Sequence, residues 1–157
     1  MYLRNHYQNA YVTRDLDQAI SLLEARYGLN GFFPIDLTQD VVTPGGKAKL
    51  NMRLAYAWIG KMQIELIQPV SGCVDHYVDS LPPGQADHSP RFNHVALRRD
   101  TWEELKSEVE ALKLPVLVEG SLPGLRFIYL DARQDLGHLL EYVWATPEMW
   151  QRLGWPA

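Results

Sequence analysis

The chain has 157 residues, 46% hydrophobic and 22% charged, with a formal net charge of −4. That length fits one compact domain or two half-domains sharing a core, and the composition argues against disorder. An acidic balance with no Lys/Arg block argues against a nucleic-acid partner, and a lone cysteine, Cys73, rules out an intrachain disulfide.

From the start, residues 5–12 are rich in β-formers and read as a strand. Residues 15–27 place Leu16, Ile20, Leu23 and Tyr27 on one face at helical spacing, with Asp15 as N-cap and Gly28 as the stop. GFFPID (31–36) predicts a short edge strand, because Pro34 cannot donate to a ladder. LNMRLAYAWI (50–59) and MQIELIQP (62–69), joined at Gly60-Lys61, predict a hairpin. Residues 70–91, with Pro82, Pro83, Gly84 and Pro90, predict a linker with one helical turn at VDHYVDSL. The pattern then restarts: FNHVALR as strand and residues 101–112 as helix, followed by strands at PVLVEG, LRFIYLDA and HLLEYVW. TPEMWQRLGW adds a short helix with Thr146 as N-cap and Pro147 at its first position. Nothing in MYLRNHYQNAYV resembles a secretory signal. No apolar run approaches the roughly 20 residues of a membrane span, so the expectation is a cytoplasmic protein without a membrane partner.

The order is βαβββ, linker, βαβββ, tail, with boundaries at 1–70, 71–91, 92–145 and 146–157. It predicts an α+β fold in which two βαβββ modules form a cupped mixed sheet around a central cleft. The halves echo each other locally. Gln8 and His94, 86 positions apart, each precede a helix cap (Asp15, Thr101) by seven residues, and Gln18 and Glu104 stand at the capping-box position.

In the last strand of each half a carboxylate interrupts an apolar run, Glu65 in MQIELIQP and Glu141 in HLLEYVW. Each can be a solvent-facing position, a buried ion pair or a metal ligand. Strand alternation puts Gln8, Ala10 and Val12 on one face and His94, Ala96 and Arg98 on its equivalent, with small residues beside the donors. Imidazole, amide oxygen and two carboxylates suit a divalent ion such as Zn, Mn, Ni, Co or Fe(II) rather than calcium. His6 shares the face of Gln8 and is its rival for the site if a bulge shifts the register. Asn51 and Arg53 are candidates to bind substrate from the cavity face of the long strand. His138 reads as packed, His76 and His88 as solvated linker residues, and Cys73 as inert. No G-x-S-x-G, phosphate loop or C-x-x-C is present.

AYVTRDLDQAI, MQIELIQP, FNHVALR and DLGHLLEYV, in that order, resemble the vicinal oxygen chelate superfamily, which includes glyoxalase I, methylmalonyl-CoA epimerase, extradiol dioxygenases and bleomycin-resistance proteins. The resemblance implies a divalent metal held by Gln8, Glu65, His94 and Glu141, and assembly as a homodimer. The Gln/Glu/His/Glu order looks like the zinc site of eukaryotic-type glyoxalase I. TPGGKAKLNMR lacks the carboxylate that epimerase relatives carry as a base. The expected activity is a metal-dependent glyoxalase-like lyase or isomerase/epimerase acting on a small carbonyl compound through a metal-stabilised enediolate. Glu141, or else Glu65, would shuttle the proton. The alternative is a non-catalytic protein that sequesters a small molecule in the same cup.

Overall fold

In a computed structural model describing residues 1–156, the chain folds in the order β1 (His6–Val12), α1 (Leu16–Tyr27), β2 (Ile35–Thr43), β3 (Gly46–Ile59), β4 (Met62–Gly72) and α2 (Asp75–Val78). There follow β5 (Arg91–Arg99), α3 (Trp102–Leu112), β6 (Val116–Leu122), β7 (Leu125–Leu130), α4 (Arg133–Leu136), β8 (Leu139–Ala145) and α5 (Pro147–Arg152). The Asp15 carboxylate accepts from the Gln18 N–H at 3.0 Å and from the Gln18 amide at 3.1 Å, which satisfies an otherwise orphaned donor at the start of α1. Gly28, at φ 65°, ends that helix in a left-handed turn that costs glycine least. At α3 the Thr101 hydroxyl accepts from the Glu104 N–H at 3.2 Å, while the Glu104 carboxylate pairs with Arg4 instead of closing a capping box.

The strands run in the order β1-β4-β3-β2-β6-β7-β8-β5 and close into a barrel. In both halves the first and last strands are parallel neighbours, β1 with β4 and β5 with β8, and the other pairs are antiparallel. One seam between the halves is the antiparallel β1–β5 ladder, and the other is two residue pairs, Val41↔Gly120 and Val42↔Glu119. The expected cupped mixed sheet is present and closes into a barrel, with β2 meeting β6 across the second seam. GFFPID does not form the strand: β2 starts at Ile35 and runs to Thr43, leaving Pro34 outside a ladder it could not join.

Alternation sorts the side chains. Inward positions, among them Val12, Leu50, Ile67, Leu139 and Val143, form a core inside the barrel. Outward positions pack under the helices: α1 covers Ala55, Ala57 and Leu66, and α3 covers Leu97, Ile128, Leu140 and Tyr142. The tail closes one side, with Trp150 buried in the inner core and the Trp58 indole N–H donating to the Leu153 carbonyl at 2.7 Å. Among the described residues no helix is long and apolar enough to cross a membrane.

Candidate functional site

The β1 register slips between His6 and Gln8, so Tyr7 and Gln8 both turn inward while His6 is left outside. His6 Nε2 lies 2.8 Å from the Asn9 side-chain oxygen and 3.1 Å from the Gln8 carbonyl, away from the barrel interior. Of the two rivals, Gln8 faces the cavity. Its neighbours follow from strand pairing. Gln63, Gln8, Ala96, Glu141 and Tyr129 lie opposite one another on successive strands, as do Tyr56, Glu65, Ala10 and His94. Ala10 and Ala96, both fully buried, leave room between the larger donors.

Glu65, His94 and Glu141 meet at one pole of a cavity of ≈ 220 Å³ inside the barrel, which Gln8 and Gln63 also line. His94 Nε2 is 3.4 Å from Glu141 Oε2 and 3.8 Å from Glu65 Oε2, with the imidazole fully buried. The tautomer follows from Asn93. Its Nδ2 donates at 2.9 Å to the His76 carbonyl, which can only accept, so its Oδ1 faces His94 Nδ1, also at 2.9 Å. Nδ1 therefore donates to Asn93, and Nε2 is the nitrogen that faces the carboxylates. Gln8 donates from Nε2 to Gln63 Oε1 at 2.6 Å, while its own Oε1 is buried with no hydrogen-bond partner. Burial, and then the charge of Glu141, push the Glu65 carboxyl well above its usual range.

Lone pairs of one imidazole and two carboxylates directed at a common point are mutually repulsive unless a proton or cation lies between them. Donors bound at ~2.0–2.2 Å to a four-coordinate ion sit ~3.4 Å apart, and the observed 3.4 and 3.8 Å lie near that spacing. Among the described residues no three His, Cys, Asp or Glu side chains are placed so that they could hold a metal ion. The orphaned Gln8 oxygen supplies a fourth donor of a type outside that set. Imidazole, carboxylate and amide oxygen are donor types that divalent cations take, and Asn93 orients the imidazole from behind.

Asn51 and Arg53 do not join this cluster, correcting the expectation that they lie on the cavity face. In β3 it is Met52, Leu54 and Tyr56 that line the cavity, so the alternate positions face out. Arg53 pairs there with Asp17 at 3.1 Å and Asp36 at 3.2 Å, and Asn51 donates to the Ser71 hydroxyl at 2.7 Å.

Sequence reasoning missed three contributors. Tyr77, from α2 in the linker, donates to the Tyr129 hydroxyl at 3.0 Å, and Tyr129 in turn lies 3.4 Å from His94 Nε2. Burial first, then Glu141, hold both phenols well above their usual range, so they remain donors. Gln63 was discoverable, since it lies two residues before Glu65 on the same face of β4. Tyr77 carried no signal, because the repeat does not extend to the linker. His76 is not solvated as expected: it is 5% exposed, tilted against Tyr77 at 3.9 Å, and lowered to about 4 by burial and by nearby His94. His138 is packed edge-on against Phe92, and burial raises the Cys73 thiol above its usual range, as its inert reading requires.

A family model described as Glyoxalase/Bleomycin resistance protein/Dioxygenase superfamily matches residues 7–128. Among solved structures, a methylmalonyl-CoA epimerase in complex with methylmalonyl-CoA and NH4+ is similar at TM-score 0.61 and 18% identity, covering 92% of this chain and 96% of that one. Methylmalonyl-CoA epimerase from Mycobacterium tuberculosis gives TM-score 0.61 at 14% identity, with coverages of 94% and 92%. A hypothetical protein from Bacillus halodurans C-125 gives 0.60 at 16%, with coverages of 90% and 94%. At these identities the likeness concerns the fold. No curated protein matches the chain.

Proposed function

The chain belongs to this superfamily, and we propose that it acts within it as a metal-dependent lyase or isomerase/epimerase on a small carbonyl compound. The supporting observation is the pole of the cavity, where His94 Nε2 faces two half-buried carboxylates and the Gln8 oxygen has no partner. Gln8, Glu65, His94 and Glu141 would hold a divalent ion. Bound there, the ion would supply Lewis acidity toward two neighbouring substrate oxygens and so acidify the intervening C–H.

The chain's own groups do the rest. Glu141 is the proposed proton carrier, with Glu65 the second candidate, because both carboxylates lie at the pole where the acidified carbon would sit. The Tyr77–Tyr129 pair holds a phenol donor beside them, suited to an oxygen that gains negative charge. The barrel wall leaves the Glu65 and Glu141 side chains only 13% and 12% exposed, which strengthens each of these interactions.

Metal content of protein purified without chelator, and thermal shifts with Zn, Mn, Ni, Co and Fe(II), test this reading. Bound metal, a raised melting temperature and loss of both in Glu141→Gln are expected. Wild-type protein that gains neither metal nor stability would remove its main support. A second reading, sequestration of a small molecule without turnover, is favoured by the largely apolar lining and because no three His, Cys, Asp or Glu side chains among the described residues are placed to hold a metal ion. A bound ligand recovered unchanged from metal-free protein would support it.

A further inference from the structure

We propose that the compound taken by this site is an uncharged aryl ketone or aldehyde with an oxygen on the adjacent carbon, about ten non-hydrogen atoms in all and held in the cavity of the barrel. This rests on the metal-dependent reading above and narrows it to a substrate class.

Size sets the first limit. A dry apolar cavity of roughly 150 Å³ accommodates one benzene. The cavity here is ≈ 220 Å³, which adds room for a two-carbon, two-oxygen head and little more. The head would lie with Glu65, Glu141, Gln8 and Gln63, the larger group of polar side chains in the lining. Gln39, on β2, adds one more buried amide whose Oε1 has no partner, and the remaining lining is largely apolar, including Leu37, Leu54, Leu125 and Val143.

Shape and charge set the others. Five aromatic rings line the space: Tyr7, Tyr56, Tyr77, Phe127 and Tyr129. Tyr129 stands nearly perpendicular to both Tyr77 and Phe127, at 90° and 83°, with centroids 5.8 Å away in each case. Walls crossed in this way offer both ring faces and ring edges to a flat guest, which is how aromatic groups pair most favourably. Neither lysine nor arginine is among the described residues lining the cavity. A divalent ion would be balanced by Glu65 and Glu141. A carboxylate or phosphate on the body of the ligand would thus be buried without a counter-charge.

Gly120 shows that the chain makes room for this guest. It lies opposite Phe127 in the β6–β7 ladder, and a Cβ there would lie 2.2 Å from Phe127 Cζ. Only glycine lets the Phe127 ring lie back against the wall. Any larger residue would push it toward the space that the ligand's body needs.

The test is calorimetric titration of zinc-loaded and metal-free protein with 2-hydroxyacetophenone, hydroxyacetone (the same head without the ring) and methylmalonyl-CoA. On zinc-loaded protein the aryl ketone should bind at least roughly tenfold more tightly than hydroxyacetone and more tightly than the thioester. Gly120→Ala should remove that advantage while leaving zinc affinity unchanged. Leu54→Ala, which enlarges the space without touching the β6–β7 ladder, should admit the larger naphthyl analogue that wild type rejects. Equal binding of the two ketones, tighter binding of methylmalonyl-CoA, or a Leu54→Ala protein that still rejects the naphthyl ketone would overturn the assignment. If zinc binds and the aryl preference is missing, the substrate class fails alone. If zinc does not bind and the preference persists, the metal reading fails and the cavity's selectivity stands.

Discussion

Two clusters in this barrel bury carboxylates, and they treat them in opposite ways. On the outer side of the second half, Glu108 is pinned between Arg4 and Arg99. Arg99, fully buried, donates from Nε to Glu108 at 2.6 Å and from Nη1 to the Arg4 and Arg98 carbonyls at 3.0 and 2.7 Å, with its guanidinium 4.7 Å above the Tyr142 ring. Burial alone would raise the Glu108 carboxyl, but the hydrogen bonds from Arg4 and Arg99 outweigh it and hold it below its usual range. Inside the barrel, Glu65 and Glu141 face His94 Nε2 and have no arginine or lysine partner, and burial, then the charge of Glu141, drives Glu65 up. The outer cluster fixes the fold; the inner one stores unfavourable electrostatics that a cation would relieve.

The largest effect expected from breaking this contrast is at Arg99. Arg99→Ala strips Glu108 of a buried partner and should cost about 3–5 kcal/mol in urea unfolding. Glu65→Gln should do the reverse in metal-free protein, raising stability by about 1–3 kcal/mol while abolishing tight metal binding, as unfolding and metal titration would show.

The same pair separates by pH. A carboxyl held down, like Glu108, contributes stability above its unfolded value of about 4.3 and loses it as pH falls through the lower folded value. A carboxyl pushed up, like Glu65, contributes stability that is complete below that unfolded value and is lost as pH rises through the higher folded one. Unfolding of metal-free protein across pH should show both slopes, with Glu65→Gln removing the second only.

Asn93→Ala frees the His94 ring and should weaken metal affinity by roughly 10–100-fold, measured by competition with a chelator. Arg53→Ala should be the mildest, costing at most about 1 kcal/mol and leaving metal and ligand binding unchanged, because its partners Asp17 and Asp36 are exposed.

Much of the fold and the donor cluster was legible because both depend on periodicities that a sequence displays. The caps at Asp15, Thr101 and Thr146 and the 3.6-residue spacing of Leu16, Ile20 and Leu23 gave the helices. The matching positions of Glu65 and Glu141 in the two halves, together with the family resemblance, pointed these carboxylates and His94 at one site. What stayed hidden depends on pairing across the chain. The Tyr7 bulge, which chooses Gln8 over His6, is visible only against Leu97 and Ala96 on β5. The facing of Asn51 and Arg53 could not be read because alternation says which residues share a face, not which face is inside. The strand expected at 31–36 lies too early because the inward series of β2, Leu37, Gln39 and Val41, has an amide in its middle and so shows no continuous apolar stripe.

The two seams that close the barrel are unequal. Along β1 and β5 the halves are stitched by six paired positions, whereas β2 and β6 meet only at Val41–Gly120 and Val42–Glu119. A ring fastened firmly on one side and by a short clasp on the other has a preferred place to part. Because Gly120 sits in that clasp directly against Phe127, loosening it frees a wall of the ligand chamber. A guest could thus enter a barrel whose donor-bearing strands never come apart.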